Sequence, residues 1–167
     1  MTNSPKILLH ACCAPCSTSA WWQLKNDYDI TFFWFNPNID PKNEHNKRLE
    51  ELIRFAKKIK IPLIIHTRKY DFVKNVKGME HEPEGGKRCE KCFEIRLMET
   101  AKYADKNGFD LFATTLTVSP HKNADQINRI GKKIKTNKTK FLETNFKKNN
   151  GYKKSIEFCH EYGIYRQ

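Results

Sequence analysis

Lys6-Ile7-Leu8-Leu9-His10-Ala11-Cys12-Cys13-Ala14-Pro15-Cys16 decides how the rest of the chain is read. Its first half is short, apolar and without polar alternation, the pattern of a strand covered on both faces. Its second half sets three cysteines within five residues where that strand ends. Beyond it, Ser17-Thr18-Ser19 offers an N-cap and Ala20 to Lys25 a short helix. Ile30 to Phe35 reads as a second strand, rich in aromatic and β-branched residues. Asn36-Pro37-Asn38-Ile39-Asp40-Pro41 reads as a loop, because each proline biases its predecessor away from α. Leu49, Leu52, Ile53, Ala56 and Ile59 stripe a helix from Glu44 to Lys60, and Leu63 to Ile65 follows as a third strand.

Further along, Asp71 to Val76 fits one or two helical turns and Gly78 to Arg88 a flexible loop. Cys89 to Asp105 reads as a helix, Phe109 to Ala113 as a fourth strand, and Thr114 to Pro120 as a polar loop. A basic helix from Asn123 to Lys135, a short strand at Phe141-Leu142 and a closing helix from Lys154 to Tyr162 complete the series. The alternation predicts an α/β fold: an open, doubly wound, mostly parallel sheet of about five strands with helices on both faces. It is expected to form one domain over residues 1–167. In such sheets ligands bind beyond the carboxyl ends of the strands, at the switch point. If the first and fourth strands are neighbours there, the cysteine segment and the Thr114 to Pro120 loop face one crevice.

Hydrophobic residues make up 38% and aromatics 12%, a composition that excludes a disordered chain. No apolar run approaches the roughly 20 residues that span a bilayer, so no membrane partner is expected. Residues 1–9 hold no long apolar core and no small-residue cleavage site, so a signal peptide is not expected either. The expected location is cytoplasmic, where thiols stay reduced and a C-x-x-C reads as metal-binding or catalytic. The net charge is +12, and between His121 and Lys154 eleven Lys or Arg face only Asp125 and Glu143. Such a segment attracts a polyanion through counterion release, nucleic acid above all; the competing reading is a solvated lysine-rich face.

Five of the six cysteines fall in two short clusters, Cys12, Cys13 and Cys16, and Cys89-Glu90-Lys91-Cys92. Thiolates are the usual ligands of zinc and of iron–sulfur clusters. Cys89 and Cys92, at a helix N-terminus beside Lys87-Arg88, sit where thiolate ligands are favoured and can face one ligand. Adjacent residues point apart, so Cys12 and Cys13 are expected to suit a larger body, a cubane or two metals side by side. Iron–sulfur ligation is therefore preferred to zinc. A zinc-stabilised basic RNA-binding domain is one alternative. Another is a thiol–disulfide oxidoreductase, since Cys13-Ala14-Pro15-Cys16 has the C-x-P-C form. Cys159, alone beside Phe158, is expected in the core.

His10-Ala11-Cys12-Cys13-Ala14-Pro15-Cys16-Ser17, Asn36-Pro37-Asn38-Ile39 and Gly85-Gly86-Lys87-Arg88-Cys89-Glu90-Lys91-Cys92-Phe93, with Arg96-Leu97, resemble the QueH-type epoxyqueuosine reductases. Thr114-Thr115-Leu116-Thr117-Val118-Ser119-Pro120-His121-Lys122 and Tyr162-Gly163-Ile164-Tyr165-Arg166-Gln167 match as well, in order. The resemblance implies a nucleotide α-hydrolase-like sheet. It implies reduction of epoxyqueuosine to queuosine at the wobble position of tRNA, driven by an electron donor not named by the sequence. It implies a [4Fe-4S] cluster on Cys12, Cys13, Cys89 and Cys92, with a second adjacent iron in some members, whereas Cys16 is not required. It also implies a redox-active Cys-Gly-Cys pair beyond the Tyr-Arg-Gln segment, a pair this sequence does not contain.

Removing an epoxide oxygen to leave an alkene and water takes two electrons and two protons. A proton donor must then lie within hydrogen-bond reach, and His121 and Asp40 are the candidates. Asn36 and Asn38 are candidates for reading the modified base, Thr115 and Ser119 for holding the nucleoside, and Arg88 and Arg166 for phosphates. The basic segment 121–154 is expected to face the tRNA.

Overall fold

The computed structural model describes residues 3–166. Met1, Thr2 and the Gln167 that ends the last matching motif lie outside them. Five strands, β1 (Lys6–His10), β2 (Asp29–Trp34), β3 (Leu63–Ile65), β4 (Leu111–Thr114) and β5 (Lys140–Phe141), form one sheet in the order β3-β2-β1-β4-β5. All four pairings are parallel, with Ile7 opposite Ile30 on one side and Leu111 on the other. The expectation of an open, doubly wound parallel sheet is met, and β1 and β4 are neighbours at the switch point.

Among the described residues six helices cover the sheet: α1 (Ala14–Leu24), α2 (Lys42–Lys58), α3 (Phe72–Asn75), α4 (Lys87–Lys106), α5 (Ala124–Lys133) and α6 (Gly151–Tyr162). Ile7, Leu9, Phe32 and Trp34 pack with Leu24, Leu52, Phe55 and Cys159, so α1, α2 and α6 lie on one face. Leu8, Phe33 and Phe112 point the other way, onto Phe72, Ile95, Ala101 and Ala104 of α3 and α4. This is why β1 has no polar alternation: Ile7, Leu8 and Leu9 are all fully buried.

Two boundaries differ from expectation in ways that shape the site. The helix expected from Ala20 begins six residues earlier, at Ala14. Pro15 opens it, since proline's fixed φ and missing N–H cost nothing in a first helical turn. The supposed cap hydroxyls bond backwards inside the helix, Ser17 Oγ to Cys13 O at 2.6 Å and Thr18 Oγ1 to Pro15 O at 2.7 Å. Cys13 is therefore the N-cap residue, and Cys16 lies in the first turn. The last helix likewise starts at Gly151, not Lys154. A Cβ on Gly151 would overlap the Phe146 carbonyl, so glycine alone allows that close approach. The loop after β4 is a buried 3-10 turn, Thr115–Val118.

Among the described residues no helix is long and apolar enough to cross a membrane.

Candidate metal centre

The switch point brings the cysteine segment after β1 against the turn after β4. Thr115 joins them: its Oγ1 accepts from Cys12 N at 3.0 Å, and its hydroxyl donates to Cys12 Sγ at 3.2 Å. Cys13 is 4% exposed beneath Cys12, and their sulfurs stand 3.8 Å apart. With Cys16 they form a group whose three sulfurs lie within 4.8 Å of one another. The expectation that adjacent cysteines point too far apart to share a small ion is corrected. Cys13 is extended at φ −170°, ahead of a helix that carries Cys16 back one turn. A sulfur pair at 3.8 Å is close to the edge of a tetrahedron with metal–sulfur bonds of ~2.3 Å.

These three thiols do not ionise alike. The thiols of Cys13 and Cys16 donate toward Cys12 Sγ and hold Cys12 well below the ordinary thiol value, with Lys122 and Thr115 assisting. Donating to Cys12 pushes Cys13 up to about 12 and Cys16 well above its usual value. Of the three, Cys12 is the one whose thiolate the others favour. A C-x-P-C oxidoreductase needs its thiolate on the first cysteine of the motif, here Cys13, and so is not favoured.

Cys89 and Cys92 come from the first turn and a half of α4 and are half-buried. Cys89 and Cys12 pack against the same small cluster of Phe93, Leu97, Leu116 and Ile127. Gly85 N donates to Cys89 Sγ at 3.4 Å. Helix α5 fixes this end of α4: Gln126 Nε2 donates to Gly85 O at 2.9 Å and to Glu90 Oε1 at 3.0 Å, and Arg129 pairs with Glu90 at 3.0 Å. All six cysteines are free thiols, and the buried Cys159, in the core as expected, is raised to about 11 by burial. Three sulfurs grouped after β1, and two more from the start of α4 with Cys89 against the same apolar cluster as Cys12, fit a thiolate-held metal centre.

A cavity of about 200 Å³ opens over Cys89 and Cys92, walled by Arg96, His121, Lys122 and Asn38. His121 is exposed at its rim, within a loop that Lys147 clamps through Thr117 O (3.2 Å), Ser119 O (3.2 Å) and Lys122 O (2.8 Å). Asn38 keeps a buried Oδ1 with no hydrogen-bond partner, which is what an acceptor reserved for a ligand looks like. Asp40 is exposed and does not line this cavity.

Other candidates are placed elsewhere or already occupied. Asn36 is 1% exposed with both ends used: Nδ2 donates to Ala11 O at 2.9 Å, and Oδ1 accepts from Arg96 Nη1 at 3.3 Å. Its role is to brace two loops. Ser119 shapes its own turn, its Oγ accepting from His121 N at 3.3 Å. Arg88 is exposed, and Arg166 donates to the Tyr152 hydroxyl at 3.1 Å on α6.

The resemblance leaves Cys16 outside the ligand set, and sequence reasoning named neither Lys147 nor Arg96 as part of this site. The i,i+4 spacing that sets Arg96 one turn above Cys92 was the available signal for the last. Lys147 had none, because its three acceptors are 25 to 30 residues distant. Lys147→Met is expected to cost about 2 kcal/mol, typical for hydrogen bonds from a charged donor. It should also speed amide exchange at 117–122. Unchanged unfolding and exchange would mean that water replaces the ammonium without loss.

The comparisons point one way. The family model described as Epoxyqueuosine reductase QueH matches residues 7–167. A Streptococcus pyogenes protein named epoxyqueuosine reductase QueH is 46% identical over 98% of this chain and 67% of its own length. Relatives of the same name from Acinetobacter baylyi and Thermotoga maritima are 40% and 36% identical, over 99% and 96% of this chain and 78% and 85% of their own. Among solved structures, the U34-tRNA thiolase NcsA from Methanococcus maripaludis, with its [4Fe-4S] cluster, shares the fold. Its TM-score is 0.61 at 11% identity, covering 99% of this chain and 60% of that one.

Proposed function

The chain belongs to the epoxyqueuosine reductase QueH family, a family of oxidoreductases, and on that footing we propose how its residues serve the reaction. The substrate is tRNA carrying epoxyqueuosine, which places the work in the cytoplasm. Cys12, Cys13, Cys89 and Cys92 hold a [4Fe-4S] cluster, and Cys16, within sulfur–sulfur reach of the first two, is available to a second iron. When bound, the cluster would pass on, one at a time, the two electrons from an external donor that the epoxide needs, with two protons, to become an alkene and water.

The chain's own groups do the rest. The cavity beside Cys89 and Cys92 receives the modified nucleoside, and the orphan Asn38 Oδ1 accepts from one of its N–H or O–H groups. His121, at the rim, is the donor for the departing oxygen; Asp40, away from the cavity, is the weaker candidate. Thr115 orients Cys12 rather than touching substrate. The basic segment 121–154 carries the tRNA, while Arg88 and Arg166, being exposed, are available to outlying phosphates.

The observation that supports this reading is the three-sulfur group after β1, at the switch point of a parallel sheet, with Cys89 packed against the same apolar cluster as Cys12. The test is direct. Protein purified without oxygen should be brown, contain iron and sulfide, and convert epoxyqueuosine in tRNA to queuosine with a strong chemical reductant. Colourless, zinc-containing and inactive protein would move the reading to a zinc-stabilised RNA-binding domain.

A further inference from the structure

Arg96 is 4% exposed, and its described partners include no carboxylate. Its Nε donates to Cys92 O at 3.3 Å, its Nη1 to Asn36 Oδ1 at 3.3 Å and its Nη2 to Cys92 Sγ at 3.2 Å. A guanidinium does not release its proton in a protein, and a buried charge left unpaired is costly. Of its three acceptors, the Cys92 sulfur is the one that becomes anionic when it serves as a metal ligand.

The neighbours keep that charge undiluted. His10 lies fully buried on the far side of Asn36, with Nε2 donating to Asn36 Oδ1 and Phe35 O, both at 3.2 Å. Its Nδ1 meets the Thr114 hydroxyl at 2.9 Å, which donates to it. Both ring nitrogens are thus satisfied in the neutral form. Asn36 is fixed from three sides, by Ala11, His10 and Arg96, so the guanidinium is aimed rather than merely nearby.

We infer that Arg96 sets the reduction potential of the iron–sulfur centre, through a charged hydrogen bond to the Cys92 sulfur. This rests on the cluster ligation proposed above. Four thiolates make the centre anionic, and reduction adds one further negative charge. A fixed buried cation stabilises the reduced form more than the oxidised form, and hydrogen bonds to ligand sulfur act in the same direction. Arg96 is a positioning residue in this sense: it touches a ligand, not the substrate.

The experiment is a redox titration of the iron-loaded protein, following the visible spectrum and the paramagnetic signal of the reduced centre. Arg96→Gln keeps donors but removes the charge; Arg96→Lys keeps the charge on a shorter side chain. The Gln protein should hold its iron and titrate at lower potential. The reduced-to-oxidised ratio at a given poise should drop about tenfold, which is about 59 mV for one electron. The Lys protein should fall between. Equal midpoints in all three proteins would overturn the assignment. A folded Gln protein that has lost its iron would also overturn it, making Arg96 an assembly residue. Absence of iron from the unmodified protein sinks the cluster reading itself, and this inference with it, so the two failures are told apart.

Discussion

Cys12→Ala is expected to leave a folded protein that binds little iron and reduces no epoxyqueuosine. Cys12 is the thiol held lowest of the three-sulfur group, because it is the one sulfur that Cys13, Cys16 and Thr115 all donate toward. Removing it takes away the ligand and also the partner that orients the other two thiols. Cys89→Ala should have a similar effect from the other side of the site, since Cys89 faces the same apolar cluster as Cys12. Cys159→Ala is the control. The residue is 4% exposed and packed into the apolar cluster under α1, α2 and α6, so the change should cost stability through poorer packing but leave iron content unchanged. Iron and sulfide analysis of the three purified proteins, beside far-ultraviolet circular dichroism, decides the matter. Full iron in Cys12→Ala would remove Cys12 from the ligand set.

Cys16→Ala separates two roles within the same group. If Cys16 only donates to Cys12, its loss should leave cluster iron in place. If it holds a second iron, the protein should lose iron while keeping its sulfide. The ratio of iron to sulfide reads the difference.

What the sequence disclosed and what it hid follow from the range of the interactions involved. The parallel sheet was legible because Ile7-Leu8-Leu9 and Phe32-Phe33-Trp34 are apolar at consecutive positions, which only a strand covered on both faces tolerates. The crevice was legible as a condition, and the β1–β4 pairing met it. The start of α1 was not legible, because Ser17, Thr18 and Ser19 have the chemistry of a cap and are used instead inside the helix. That displacement carries Cys16 to the other two sulfurs, although the resemblance does not require it. Asn36 and Asn38 look alike between their prolines. Only the long-range hydrogen bonds with His10 and Arg96 show that Asn36 is consumed by the scaffold, while Asn38 retains an unpartnered acceptor. Thr115 belongs to the site for another reason than expected, as a partner of Cys12.

Reversing the charge of Lys102, Lys133 and Lys135 together should weaken tRNA binding far more than any change at the cysteines, and should leave iron content alone. A groove of about 900 Å³ runs between α4 and α5, from Glu90 beside Cys89 to the Thr136-Asn137 segment. All three lysines line it, and among the described residues none of them is in an ion pair. The acidic groups in the same groove are already engaged. Glu90 is held by Arg129 and Gln126, Glu94 by Lys91, and Asp105 accepts three backbone N–H groups from Asn137, Lys138 and Thr139. Lys132 is a poorer probe, since it already pairs with Glu143 at 3.2 Å. With five cationic side chains against these three carboxylates, the groove carries a positive excess from Glu90 onward, as a phosphate backbone requires once its modified nucleoside enters the cavity. Each phosphate that is no longer neutralised should reduce the slope of log affinity against log salt by about 0.9. The triple variant Lys102→Glu, Lys133→Glu, Lys135→Glu should thus show a shallower slope as well as a lower affinity at every salt concentration. Filter binding across a salt series measures both. Unchanged slope and affinity would place the tRNA on another face, and the positive groove would then be a solvated surface.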